Sequence, residues 1–325
     1  MAVETLRTAV IGVGHQGRYH AGKYAVLPQS RFVGVVDRDK NRRDAVATEF
    51  GVPEFSDYKK LIDEVDAVSI AVPTADHFEI AHVFLSNGVH VLLEKPICRT
   101  LEEATKLIET ANRNKVILQI GHQERFNPAI MALDAAWKPP RFIESYRIEP
   151  FKKRGADVSV VLDLMIHDVD LIHSMVRSPI KAMNANGTPV ITNDIDIANA
   201  RIEFENSCVA NVTASRASLK TERVIRIFQD DTYTSVDMHH CTLTVYKKCD
   251  DAQDCNSALP GINVDNRVFN RGDPLKFEIE AFLNSALTGA SPVVSGEEGK
   301  RALDTAIKVT EMVNNSYAHM LEAKP

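Results

Sequence analysis

The chain reads as a two-domain α/β protein: a parallel sheet covered by helices on both faces, then an α/β domain on a half-covered, mostly antiparallel sheet. Three observations predict this. Over residues 1–121, uninterrupted apolar runs alternate with helical stretches, as in a parallel sheet buried on both sides. After Gly121 the pattern becomes a strict period-2 alternation, the mark of a sheet buried on one face only. A length of 325 residues is sufficient for two domains.

Taken in order, strands are expected at residues 8–12, 31–37, 67–71, 90–94 and 116–120, with helices near 16–27, 39–50, 76–87 and 101–114. Thr100-Leu-Glu-Glu103 supplies a capping box for the last of these helices. A short helix follows Pro128, then a strand near 142–148 and a long helix over 158–176. Beyond it, Ala210, Val212 and Ala214 set an apolar face against Asn211, Thr213 and Ser215, and Ile202 and Phe204 continue the alternation. Residues 224–228 and 243–246 behave similarly, and helices at 275–287 and 297–320 close the chain.

Composition narrows the function. Apolar content of 44% and charged content of 25% are ordinary for a globular protein. A net charge of -6 argues against nucleic acid or an anionic membrane as partner. No apolar run reaches the roughly 18 residues a membrane helix needs, and Met1-Ala-Val-Glu4 shows no basic-then-apolar leader, so a cytoplasmic location is expected. Five irregularly spaced cysteines favour a reducing compartment. Cys241, Cys249 and Cys255, beside His239 and His240, fit none of the paired zinc spacings, so a polar, loop-rich insertion without metal is expected there.

The beginning of the chain says what the sheet binds. Gly12, Gly14 and Gly17 fall in a G-x-G-x-x-G pattern at a strand-to-helix junction, with His15 and Gln16 in its variable positions. The first glycine permits the turn, the second lets a pyrophosphate approach the backbone, and the third lets helix and strand pack. Asp37, at the end of the next strand, is placed to accept hydrogen bonds from adenine ribose hydroxyls. A carboxylate there repels a 2'-phosphate and favours NAD over NADP, whereas Arg38, Arg42 and Arg43 pull the other way. Arg38 is counted among the cofactor contacts. Ala71, Pro73 and Thr74 end the following strand, where a nicotinamide ribose would lie. His77 is either a contact there or an ordinary first-turn helix residue.

Two segments carry candidate chemistry. In His90-Val-Leu-Leu-Glu-Lys-Pro96 an apolar strand delivers Lys95, between Glu94 and Pro96, to the carboxyl end of the sheet, where ligands of such sheets sit. Pro96 cannot continue the ladder. On a helical wheel, residues 161–176 show two apolar stripes with Asp163, His167, Asp170 and Ser174 on a narrow polar strip between them. Asp163 and His167 are spaced to hydrogen-bond, either as a catalytic dyad or as a self-satisfied buried pair. Asp168 falls off the strip, and His173 reads as a core histidine. Together the two segments suit oxidation of an alcohol to a ketone, Lys95 stabilising the alkoxide and His167 taking the proton.

Gly12-Val-Gly-His-Gln-Gly17, Glu94-Lys-Pro96 and Asp163-Leu-Met-Ile-His167 resemble the three defining motifs of the glucose–fructose oxidoreductase / inositol dehydrogenase / MocA family. The resemblance implies an NAD-binding Rossmann domain at 1–121 and an α/β domain at 122–325. The second domain's large, mostly antiparallel open sheet would serve homodimer or homotetramer contacts. It implies catalytic roles for Lys95, Asp163 and His167. Gly121-His-Gln-Glu-Arg-Phe-Asn-Pro128, with residues 157–168 and 209–216, is similar to members that oxidise the 3-hydroxyl of UDP-N-acetylglucosamine. Those members work with an aminotransferase on the way to the 2,3-diamino sugar of lipid A. By this likeness Arg125 and Asn127 contact substrate and Gln123 lies on the cofactor side. For the diphosphate that this likeness implies, Arg125 and Arg154, and less so Lys152 and Lys153, are available cations. A dehydrogenase of free sugars or cyclitols, and a non-catalytic sensor, are the competing readings.

Overall fold

The computed structural model describes residues 4–133, 138–151, 159–249 and 261–322. Its first elements are β1 (Leu6–Ile11), α1 (His15–Tyr24), β2 (Ser30–Val36), α2 (Lys40–Phe50), β3 (Glu54–Phe55), β4 (Ala67–Ile70), α3 (Thr74–Ser86), β5 (His90–Glu94), α4 (Leu101–Asn114) and β6 (Leu118–Gly121). There follow α5 (Pro128–Met131), β7 (Phe142–Pro150), a π-helical turn (Val161–Met165) and α6 (Ile166–Val176). Then come β8 (Ile180–Thr188), β9 (Ile197–Phe204), β10 (Val209–Ser218), β11 (Glu222–Phe228), β12 (Thr232–Asp237), β13 (Thr242–Lys248) and β14 (Ile262–Val268). Helices α7 (Pro274–Thr288) and α8 (Gly296–Glu322) complete the order.

The chain forms two compact units, Met1–Gln123 with Asp273–Leu303, and Glu124–Gly272 with Asp304–Pro325. The segment containing α7 thus groups with the first unit. The reason is burial, because Leu275, Ile279, Phe282 and Leu283 of α7 complete the core around Tyr24, Val10 and Leu92.

In the first unit all strand pairs are parallel, in the order β3-β2-β1-β4-β5-β6. The order reverses direction between β1 and β4, which opens a crevice outside the strands' carboxyl ends. Residues 67–70 and 91–93 are buried throughout, as their apolar runs require. At α4 the Thr100 hydroxyl accepts the Glu103 amide at 3.2 Å, while the Glu103 carboxylate accepts from Arg99, one residue before the cap.

The second unit holds an eight-stranded sheet, β14-β13-β12-β11-β7-β10-β9-β8, antiparallel except where β7 and β10 run parallel. Ala198, Ala200, Ile202 and Phe204 of β9 are buried on one face and Arg201 is exposed on the other, the alternation that the sequence displays. Helix α6 covers β7 and β10. Cys98, Cys208 and Cys241 are buried free thiols, but Cys249 is disulfide-bonded, which corrects the expectation of reduced cysteines at that position. Cys255 lies outside the described residues. No helix among them is long and apolar enough to cross a membrane.

Candidate active site

The glycine cradle of the first unit is shaped by what cannot fit in it. Gly12 has φ +83°, and a Cβ there would stand 2.7 Å from the Ala71 carbonyl oxygen. A Cβ on Gly17 would lie 1.7 Å from the Gly12 carbonyl oxygen, so only glycine lets α1 start so close to β1. Beside Gly14, by contrast, the nearest atom to such a Cβ is Arg42 Nη1 at 3.9 Å. That open approach leads to the amino end of α1, a ready site for a pyrophosphate. His15 is exposed and packs edge-on to Tyr19, and Gln16 is half-buried on the same turn.

Asp37 Oδ2 accepts the Val13 amide at 2.9 Å and Oδ1 the Asp39 amide at 2.8 Å, so the carboxylate ties β2's exit to the glycine loop. Each oxygen keeps a second lone-pair site for a ribose hydroxyl. The neighbouring arginines are already engaged: Arg38 with Asp76, Arg42 with Asp39, and Arg43 with Glu54. A 2'-phosphate therefore meets a carboxylate and arginines held by other acids, which suits NAD.

Around Lys95 the backbone is clamped from both sides. Glu94 Oε2 accepts the Lys95 amide at 3.3 Å, and His77 Nδ1 lies 2.9 Å from the Pro96 carbonyl oxygen. His77 Nε2 is 3.0 Å from the Val72 carbonyl oxygen, and the ring is 1% exposed. His77 is thus a buried strut between the exits of β4 and β5, and burial pushes it below the ordinary histidine value. Ala71, Pro73 and Thr74 lie at the β4 exit and the start of α3. Gln123, half-buried, opens the 3-10 turn Gln123–Phe126.

Behind Lys95 runs a buried polar chain that sequence reading missed. His20 Nε2 donates to Glu94 Oε1 at 3.0 Å, its Nδ1 is 3.0 Å from Ser69 Oγ, and Ser69 is 2.8 Å from the Tyr24 hydroxyl. Burial opposes charge on Glu94, but the His20 hydrogen bond and the charges of His20, Lys95 and His77 hold its carboxyl below the ordinary range. Glu278 of α7 is 0% exposed, neither carboxyl oxygen has a hydrogen-bond partner, and burial followed by the Glu94 charge pushes it well up. It therefore stays neutral where an unfolded glutamate ionises.

That asymmetry has a sign. In acid both states carry the proton; as pH rises past the ordinary carboxyl value, only the unfolded chain releases it, so stability falls until the folded value is reached. Glu278→Gln cannot ionise and should melt higher than wild type, with a gain near zero below the ordinary carboxyl value that grows as pH rises above it. Thermal melts at fixed ionic strength check this; a gain independent of pH would refute the assignment.

In the second unit, the helix expected over 158–176 begins as the π turn, Ser159 Oγ accepting the Val161 amide at 3.2 Å. Asp163 lies within that turn and His167 just after it, both half-buried. Such turns recur at functional sites. The rest of the polar strip is committed to structure. Asp170 is buried against Arg125, whose Nε and Nη2 lie 2.6 and 2.9 Å from its two oxygens, and Ser174 Oγ donates to the Leu171 carbonyl. Arg125 is thereby a brace for α6. Asn127 caps the short helix α5: Oδ1 accepts the Ala129 amide and Nδ2 donates to the Met238 carbonyl. Asp168, without a role on the wheel, is 0% exposed and forked by Arg147. His173 is a core histidine, 2.9 Å from Thr305 Oγ1 and edge-on to Phe204. Lys152, Lys153 and Arg154 lie outside the described residues, among which no cluster of acids, histidines and cysteines could hold a metal.

A six-stranded Rossmann sheet with this cradle and acidic strand end makes the first unit a dinucleotide-binding domain. Residues 6–122 match the oxidoreductase family with an NAD-binding Rossmann fold, and residues 131–233 match the GFO/IDH/MocA C-terminal domain. The chain belongs to the GFO/IDH/MocA family, and the family matches make the protein an NAD-dependent oxidoreductase. It is 39% identical over 305 residues to the UDP-N-acetylglucosamine 3-dehydrogenase of Acidithiobacillus ferrooxidans, covering 94% of this chain and 96% of that one. A solved structure of that enzyme superposes with a TM-score of 0.91, covering 96% and 98% of the two chains. The NAD-dependent scyllo-inositol 2-dehydrogenase of Bacillus subtilis is 31% identical over 233 residues, 66% of this chain and 68% of that one. A levoglucosan dehydrogenase solved with NADH shares the fold, with a TM-score of 0.85 at 19% identity over 96% and 98% of the chains.

Proposed function

We propose that the protein oxidises the 3-hydroxyl of a UDP-linked N-acetylhexosamine, UDP-N-acetylglucosamine first among them, to the 3-keto sugar. What carries the reading is the end-to-end likeness to an enzyme of that activity, 39% identical across 94% of this chain and 96% of the relative. The likeness to an inositol dehydrogenase spans two thirds of each chain. The motif residues Lys95, Asp163 and His167 suit the chemistry.

The carbon bearing the hydroxyl loses a hydride and the hydroxyl oxygen loses a proton; bound NAD+ supplies the hydride acceptor. The glycines at 12, 14 and 17 and Asp37 hold the dinucleotide. The Lys95 ammonium donates a hydrogen bond to the oxygen as negative charge develops on it. His167 accepts the proton, with Asp163 fixing its tautomer and orientation. The keto sugar suits consumption by an aminotransferase, and the open sheet suits assembly of identical subunits.

The test is a panel of UDP-sugars and free sugars or cyclitols with NAD+, followed by the absorbance of reduced cofactor and the product mass. An aminotransferase and amino donor are included to draw an unfavourable equilibrium forward. Without the aminotransferase a product about 2 Da lighter than UDP-N-acetylglucosamine is expected, two hydrogens having left as hydride and proton, and with it a product about 1 Da lighter, the hydroxyl having been replaced by an amine. Turnover of free cyclitols with none of any UDP-sugar would overturn the reading.

A further inference from the structure

The π turn at Val161–Met165 interrupts the regular i→i−4 ladder just before α6. Buried ion pairs of the second unit bracket this place. Asp168, the residue after His167, takes Arg147 Nε at 2.9 Å and Nη2 at 3.0 Å. Arg147, 1% exposed on β7, gives its remaining Nη1 to Glu124 at 2.8 Å. Asp170 takes the fork of Arg125, the chain neighbour of Glu124. Glu124 also meets Arg223 at 3.2 Å, and Arg223 pairs with Glu149.

Buried ion pairs are often no more stabilising than apolar side chains of the same volume, so stability alone does not account for such a cluster. A bidentate arginine–carboxylate pair does supply direction, because both planes must align. Two of them fall on residues one and three places after His167, in the first half of α6.

We propose that Arg147 and Arg125 are positioning residues, whose forks on Asp168 and Asp170 set the rotation of the turn carrying Asp163 and His167 and so aim the imidazole at the substrate hydroxyl. The proposal rests on His167 being the base in the reaction above. It assigns the arginine that the motif offers for substrate to orientation of the base instead.

Asp168→Asn and Arg147→Lys keep volume but break the fork. Each should lower kcat by about 10²-fold, the cost of a small misplacement at the reacting atoms, with KM for the UDP-sugar and NADH affinity by fluorescence within about threefold. The pair Arg147→Met with Asp168→Leu should recover the melting temperature without recovering kcat. Val212→Ala, in the core of β10, serves as a control of matched stability and should keep kcat. Recovery of kcat by the apolar pair, or an equal loss in the control, would overturn the proposal.

A readout without substrate separates this from the functional reading. Diethyl pyrocarbonate modification of His167, followed by peptide mass spectrometry, should change in rate by at least about threefold in Asp168→Asn. An unchanged rate counts against positioning. If the wild type turns over no UDP-sugar yet the rate changes, the substrate reading fails and the positioning role stands.

Discussion

Lys95→Met and His167→Ala should each lower turnover by roughly 10²–10⁴-fold while NADH still binds. The two losses differ in origin. Methionine keeps the length of the lysine's aliphatic stem and leaves the backbone clamp intact, since Glu94 Oε2 grips the residue 95 amide and His77 the Pro96 carbonyl. What goes, under the proposed mechanism, is the positive hydrogen-bond donor to the developing alkoxide, an interaction stronger in the transition state than in the bound alcohol. If His167 is the proton acceptor proposed above, the residual rate of His167→Ala should rise with pH as hydroxide takes over the proton. The Lys95→Met rate should not follow hydroxide in that way. Steady-state kinetics across pH, with NADH titrated by fluorescence, resolves both. A variant retaining near-normal rates removes its residue from the mechanism.

Much of the first unit could be read from the sequence because its signals are local. The apolar strand 90–94 is observed with those bounds, as is α4 at Leu101–Asn114, and the glycine spacing reports a backbone approach that side chains forbid. The omissions have physical causes. Strand β3 has two residues, too few for any period, and β8 and β14 are edge strands at the two ends of the sheet whose residues are mostly not buried. Helix α7 announces an apolar stripe but not its partner, so its return to the first unit was not legible.

The same limit governs the site. A wheel at 3.6 residues per turn put Asp163, His167, Asp170 and Ser174 on one polar strip but could not say what each of them faces. The deciding groups are, for Asp170, Arg125, 45 positions away, and for Asp168 the strand residue Arg147, 21 positions away. Likewise Glu94 looked like a flank of Lys95, whereas His20, Ser69 and Tyr24 make it the end of a buried chain. Pairings between distant elements leave no period in the sequence.

Arg147→Met should be the most destabilising single change in the second unit, by about 3–5 kcal/mol, or roughly 6–20 °C in melting temperature. Arg147 is among the largest fully buried side chains, and three of its nitrogens serve two acids. Removing it leaves Asp168, 0% exposed, as a buried carboxyl without its cation, whereas Glu124 retains Arg223. The cost is therefore chiefly the stranded Asp168. Adding Asp168→Leu removes that group too and should return most of the loss, because a volume-matched apolar pair replaces a desolvated ionic one. The exposed pair Arg141–Asp230 provides the contrast: solvent screens it, and Arg141→Ala should leave the melting temperature unchanged. Denaturant titration of the single and double variants measures the coupling directly. If the double variant is as unstable as Arg147→Met alone, the stranded carboxyl is not the cause, and the lost packing of the arginine stem on β7 must be.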